Sequence, residues 1–255
     1  MKSLIRFLLH ALPRPFLIRL SYPFMAIMRP FLRGDKVMCP VCSKTFSRFL
    51  SYGVIPRPNV LCPSCLSLER HRLIWLYLVR VSGILTYPVK MLHVAPEQCF
   101  YGRFRKMPHI DYVTADLESP LADYHFDLHS IPFDSGTYDL ILCNHVLEHV
   151  ENDRQVMREI IRVLKPGGLA IMQVPQDPTL EATYEDPTIK DPREREKHFG
   201  QKDHLRLYGK DYPVRLRQAG FNVVEWSVAD HFQPEEIERF RLAPGEILYL
   251  AFKPQ

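Results

Sequence analysis

The chain has 255 residues, 46% of them hydrophobic and 24% charged, an ordinary globular composition that suits one large core plus a small accessory module. Much of the formal net charge of +4 sits in the first 36 residues, where Lys2, Arg6, Arg14, Arg19, Arg29, Arg33 and Lys36 face Asp35 alone. The remainder is close to neutral, so bulk charge does not argue for a nucleic-acid-binding surface.

Residues 1–36 form the first piece, a basic amphipathic segment. Lys2, Arg6 and His10 recur every four residues, and Leu4, Ile5, Leu8, Leu9 and Leu12 are free for the opposite face. Pro13, Arg14 and Pro15 interrupt the apolar run, which makes it a poor signal peptide. Arg14, Arg19 and Arg29 keep every apolar stretch shorter than the roughly 18–20 residues of a bilayer-spanning helix. Two readings compete for residues 1–33: an in-plane peripheral membrane contact, and a helix that packs on the catalytic domain.

Residues 37–67 carry Cys39-Pro40-Val41-Cys42 and Cys62-Pro63-Ser64-Cys65, two pairs separated by 19 residues. In a chain without a secretion signal this layout favours metal ligation over disulfides and points to a reducing, cytoplasmic setting. Each pair needs a tight turn so that two sulfurs face one ion. Cys39, Cys42, Cys62 and Cys65 are therefore expected to hold a structural zinc in a ribbon-like module, with no open coordination position for chemistry. Cys99 and Cys143 have no partner in sequence and read as small buried residues.

A helix is predicted over 68–81, where Leu73, Ile74, Trp75, Leu76 and Leu78 line one side, and the region 68–88 reads as a connection. From residue 89 short apolar runs alternate with helical stretches, the pattern of a parallel sheet. Strands are predicted at 89–95, 110–116, 124–128, 138–143, 168–174, 221–228 and 246–253, and helices at 97–106, 152–164 and 210–219. A short helix near 234–240 lets the last strand return antiparallel. The fold class is α/β: a doubly wound, mostly parallel seven-stranded Rossmann-like sheet in residues 89–255, with a small N-terminal zinc module and a cap insertion at 176–208.

The segment from Phe133 to Val150, containing Tyr138-Asp139-Leu140-Ile141-Leu142-Cys143-Asn144-His145, resembles the fourth-strand region of class I methyltransferases. Arg162-Val163-Leu164-Lys165-Pro166-Gly167-Gly168 is similar to that family's turn before the fifth strand: proline stops a helix and paired glycines permit a positive-φ turn. The resemblance, over about 89–252, is greatest to the type 11 methyltransferase domain, and it implies S-adenosylmethionine as cofactor. It also implies roles for particular residues. Asp116, ending Tyr112-Val113-Thr114-Ala115-Asp116, would accept the ribose hydroxyls, with Leu117 following it. Asp127 and Leu128 would flank the adenine, and Asn144 the methionine end of the cofactor.

The first strand departs from the family's pattern, for His93-Val94-Ala95-Pro96-Glu97 stands where an acid and a glycine-rich loop are usual. Among these, His93, Ala95 and Glu97 are expected at the cofactor, with Glu97 supplying a carboxylate for its amino group. Methyl transfer to a hydroxyl needs a base, and His149, then His145, stand close to where the methyl should lie. His145, Glu148 and His149, at i, i+3, i+4 spacing, would also bring three metal ligands onto one helical face. In the cap, His198, His204, Arg206 and Tyr208 are the candidates for acceptor binding.

The function expected is O-methylation of a small-molecule or saccharide acceptor in the cytoplasm, with possible contact to the inner membrane face. Two alternatives stay open. An RNA methyltransferase would use Lys44, Arg48 and Arg57 with Phe46, Phe49 and Tyr52 as stacking groups. A non-catalytic scaffold would have lost the cofactor site.

Overall fold

The computed structural model describes residue 23, residues 25–53 and residues 56–255. The amphipathic pattern of residues 1–33 therefore falls largely outside the described residues. Among the described residues no helix is long and apolar enough to cross a membrane.

The chain divides into two compact units. The first holds the described residues up to Ser82 together with Val228–Glu246. Here β1 (Val37–Cys39) pairs antiparallel with β2 (Lys44–Phe46), and β3 (Leu50–Tyr52) with β4 (Arg57–Leu61). Helix α1 (Glu69–Arg80) follows, burying Leu73, Ile74, Leu76 and Leu78. This division differs from the one read in sequence: α1 belongs to the cysteine-bearing unit rather than serving as a connector. Val228–Glu246 joins it as well. The buried guanidinium of Arg72 is the physical reason, donating to the carbonyls of Val60 and Ser67 (2.9 and 3.0 Å) and to that of Arg241 (2.7 Å). Arg80 adds an ion pair to Glu236.

The second unit, Gly83–Ser227 with Ile247–Gln255, holds the seven-stranded sheet. Its strands are β5 (Val89–Val94), β6 (Ile110–Asp116), β7 (Tyr124–His125), β8 (Tyr138–Cys143), β9 (Leu164–Ile171), β12 (Asn222–Ser227) and β13 (Ile247–Phe252). They lie in the order β12-β13-β9-β8-β5-β6-β7. β5 to β9 run parallel, and β13 is antiparallel to both neighbours. This is the doubly wound, Rossmann-like arrangement with an antiparallel last strand. From β5 the chain runs outward through β6 to β7 and then crosses back to β8 on the other side of β5, so the strand order reverses at the carboxyl ends of β5 and β8, where open α/β sheets bind ligands.

Helices α2 (Gln98–Phe104), α3 (Asp153–Val163) and α5 (Tyr212–Gln218) flank the sheet. α3 begins at Asn152, whose side chain accepts from the Gln155 amide, and it buries Val156, Met157, Ile160 and Val163 in one cluster with Leu92, Ile141 and Cys143. β9 starts earlier than predicted, because Leu164 already pairs with Tyr138. Inside it, Gly167 takes φ 74°, and a Cβ on Gly168 would meet the backbone oxygens of Lys165 and Asp139 at 2.9 and 3.2 Å. Lys165 grips both Asp139 oxygens at 2.8 Å.

The stretch 176–208 is a folded excursion. β10 (Tyr184–Glu185) pairs with β11 (Arg206–Leu207), and helix α4 (Pro192–Phe199) lies between them.

Candidate functional site

The carboxyl end of β5 supplies Ala95 and Glu97. Ala95 adopts φ 48°, the left-handed conformation for which glycine is the usual choice, so the turn survives without a glycine. Glu97 then stands at the amino end of α2. Its Oε2 meets His93 Nε2, and its Oε1 accepts from Asn144 Nδ2 at 3.1 Å. Asn144 Oδ1 accepts in turn from the Gln173 amide at 3.3 Å. A single carboxylate is thus held across the switch point by side chains from both strands.

His93 is fully buried, between Tyr112 at 2.7 Å and Glu97, and it packs against Phe100 and Phe104. An ionised Glu97 carboxylate only accepts, which places the ring proton on Nε2 and leaves Nδ1 to accept from the Tyr112 hydroxyl, whose pKa burial pushes well up. His93, expected at the cofactor, has both ring nitrogens engaged within the protein, one of them on Glu97. Tyr112 and Gln173 escaped the sequence reading. Tyr112 could have been found from parallel pairing, since Met91 opposes Tyr112 and His93 opposes Thr114, which makes His93 and Tyr112 same-face diagonal neighbours.

Asp116 ends β6, and its Oδ1 accepts from the amides of Glu118 and Ser119 at 2.9 and 2.8 Å. That turn presents Leu117 to solvent, 68% exposed. Asp127 follows β7 and is exposed; the His129 amide, then the His129 ring, hold its carboxyl below the usual carboxylate range. Leu128 is buried in the core cluster.

Residues 145–149 form a turn rather than a helix. His145, in left-handed conformation at φ 54°, breaks the chain away from β8, with its amide on the Gln173 carbonyl at 2.7 Å. The one-face helical grouping of His145, Glu148 and His149 is therefore corrected. Instead His145 Nδ1 donates to Glu148 Oε1 at 3.2 Å, while His149 Nδ1 faces the carbonyl and Oδ2 of Asp203 at 3.3 and 3.4 Å. Both imidazoles remain about one-third exposed.

The cap residues separate by environment. Arg206, 3% exposed, donates to the carbonyls of Leu147, Val150 and Glu151 and pairs with Glu185. Tyr208, fully buried, donates to the Leu147 carbonyl and to Asp153 at 2.9 Å. Both are bonded to the turn after β8, so the polar groups of these two expected acceptor-binding residues are spent on the protein. His198 is exposed, with Nδ1 2.9 Å from the Tyr184 hydroxyl. His204 is buried beside His149, ring centroids 4.8 Å apart, and burial holds its imidazole below the ordinary value.

In the first unit the four cysteines meet as the spacing predicts. Cys39 and Cys65 sulfurs are 3.5 Å apart and those of Cys42 and Cys62 3.7 Å, too far for a disulfide of about 2 Å. The two loops repeat each other: Ser43 and Leu66 take φ 57° and 63° and return their amides to the carbonyls of Cys39 and Cys62. Cys99 and Cys143 are buried away from this cluster, and burial pushes the Cys143 thiol up, which suits packing and not nucleophilic attack.

Residues 85–172 match the family model described as methyltransferase domain. Known proteins similar to parts of the chain include a demethylmenaquinone methyltransferase of Staphylococcus epidermidis, 34% identical over 67 residues, covering 26% of this chain and 27% of that protein. An uncharacterized 37.1 kDa protein in transposon TN4556 of Streptomyces fradiae is 37% identical over 60 residues, covering 24% and 17%. The chain thus spans well under two thirds of the length of these relatives. Among solved structures, an S-adenosylmethionine dependent methyltransferase from Mesorhizobium loti superposes with a TM-score of 0.47 at 16% identity, over 70% of this chain and 97% of that one. The YcgJ protein from Bacillus subtilis does so with a TM-score of 0.45 at 14% identity, over 66% and 93%. Residues 85–172 thus match a methyltransferase domain, and the seven-stranded order with its antiparallel last strand is the Rossmann-like fold of that class.

Proposed function

We propose that the protein transfers a methyl group from S-adenosylmethionine to a hydroxyl of a small-molecule or saccharide acceptor. The observation that carries the cofactor assignment is Glu97, a carboxylate fixed by His93 and Asn144 at the strand-order reversal. An ionised carboxyl is acceptor-only with four lone-pair sites, so after these two bonds it still accepts from the cofactor's ammonium group. Asp116 fits the ribose: Oδ1 is held by two amides and Oδ2 is left for a hydroxyl. Leu117 offers an apolar face, and Asp127 an acceptor, to the adenine. The cofactor supplies an electrophilic methyl on sulfur; the chain aligns the acceptor and takes its proton. His149 and His145 are the bases, each with Nδ1 on an oxygen acceptor and Nε2 carrying the lone pair.

The small-acceptor reading is favoured over RNA by the cysteine unit. Of the three stacking candidates, Phe46 and Phe49 are 4% and 2% exposed, which leaves Tyr52 alone at the surface, and Arg57 is paired with Glu69. Labelled S-adenosylmethionine incubated with a deproteinised cell extract, split into small-molecule and RNA fractions, tests the assignment. Label is expected in the small-molecule fraction, lost at least tenfold in His145→Ala and His149→Ala. Label confined to RNA, with a steep salt dependence, would establish the rival.

The four-cysteine cluster is assigned a structural zinc. Four sulfurs about 2.3 Å from one tetrahedral ion lie about 3.8 Å apart, close to the spacings here. Burial holds the Arg72 guanidinium below its ordinary value, and Cys39, Glu69, Cys62 and Cys65 nearby oppose that shift, so a net-negative four-sulfur centre would suit its position.

A further inference from the structure

The turn after β8 and the end of the cap bring together three side chains, of which the methyl-transfer chemistry uses His149 alone. Glu148, His149 and His204 each offer a ligand atom within 4.8 Å of the others. The Leu205 amide on the Glu148 carbonyl at 2.8 Å joins the two segments. Glu148 is 1% exposed and His204 3%, yet Glu148 Oε2 and His204 Nε2 have no hydrogen-bond partner. Leaving a carboxylate oxygen buried and unmatched is costly, and so is leaving an imidazole nitrogen.

These two atoms cannot satisfy each other. His204 Nδ1 lies 3.0 Å from the Phe199 carbonyl, which only accepts, so the ring proton sits on Nδ1 and Nε2 is a lone pair. His149 Nδ1 likewise faces only acceptors, both on Asp203. Three acceptors converge, and what is missing between them is an electrophile. A proton donor is the smaller answer and a cation the larger.

We propose that Glu148, His149 and His204 hold a divalent first-row transition-metal ion. The donor set is two imidazole nitrogens and one carboxylate oxygen, which suits such ions and leaves coordination positions open. The surrounding bonds are those that orient metal ligands: His204 Nδ1–H on a backbone carbonyl, His149 Nδ1–H on Asp203, and the His145 ring on the second oxygen of Glu148. Ligand atoms about 2.1 Å from one ion lie about 3–4 Å apart, so a pair at the 4.8 Å limit closes by about 1–2 Å. His149, one-third exposed on a turn, is the member with room to move.

The ion's role rests on the O-methylation reading: its open positions bind the acceptor hydroxyl and lower its pKa, and the base role then falls to His145. Metal binding itself does not depend on that reading. The test is zinc content by elemental analysis after equilibrium dialysis of the full chain against micromolar zinc, with calorimetry of S-adenosylhomocysteine on the same preparations. Wild type is expected to retain two zinc ions, one of them on the cysteines, whereas Glu148→Gln and His149→Ala retain one. Because Glu148 is buried, His149→Ala, at a one-third-exposed position, carries the test if the other variant does not fold. A single zinc in folded wild type overturns the proposal, as does a second zinc that persists in His149→Ala. The calorimetry separates this from the underlying reading: S-adenosylhomocysteine binding without the second zinc removes the metal alone, and the second zinc without S-adenosylhomocysteine binding removes the methyltransferase reading alone.

Discussion

Ala95 shows how a motif can disappear from a sequence while its geometry stays. At φ 48° it does what a glycine would do, at a cost of about 1 kcal/mol in backbone strain. Ala95→Gly is expected to stay within about 1 kcal/mol of the parent in urea unfolding, since relieved strain offsets added chain entropy. Ala95→Val, a branched residue at positive φ, should lose more than about 1 kcal/mol. Charge-bearing residue types were legible in the sequence, but their burial was not. His93 and Arg206 are both within the expected site regions, yet one positions Glu97 and the other is wrapped by carbonyls. Nothing in a linear motif distinguishes a guanidinium that meets a ligand from one that meets Leu147, Val150 and Glu151. Arg206→Ala should therefore cost about 3 kcal/mol of stability in the same assay, rather than acting on acceptor binding alone.

At the scale of elements, the periodic ones were read closely. The strands 110–116 and 138–143 appear with the predicted bounds, because alternation of apolar runs and turn residues reports burial on both faces of a parallel sheet. The segment 145–149 was not legible, since its spacing fits a helix while the positive φ of His145 makes it a turn. That conformation depends on the Gln173 carbonyl, 28 residues on, which sequence spacing does not reveal. The glycine turn into β9 was legible for the opposite reason: its constraint is local. Gly168→Ala forces a methyl onto two backbone oxygens that the Lys165 and Asp139 pairing holds fixed, and is expected to cost about 1–3 kcal/mol by thermal unfolding.

For the whole molecule, the two units divide the roles. The cysteine-bearing unit recruits Val228–Glu246 from between the last two strands through Arg72 and Arg80, a long-range pairing that no local pattern announces. If zinc holds its two loops together, a chelator should expose the segments up to Ser82 and 228–246 to proteolysis before the sheet unfolds, and added zinc should restore protection. On the proposed function the sheet unit carries the chemistry, with the carboxyl ends of β5, β6 and β8 facing the cofactor.

That the cofactor is held there by Glu97 and Asp116 in place of a glycine-rich loop is measured most directly by calorimetry with S-adenosylhomocysteine on folded, zinc-loaded protein. Saturable binding by wild type, weakened at least tenfold in Glu97→Gln and in Asp116→Ala, is the predicted result. No binding by wild type, or undiminished binding in both variants, would contradict it.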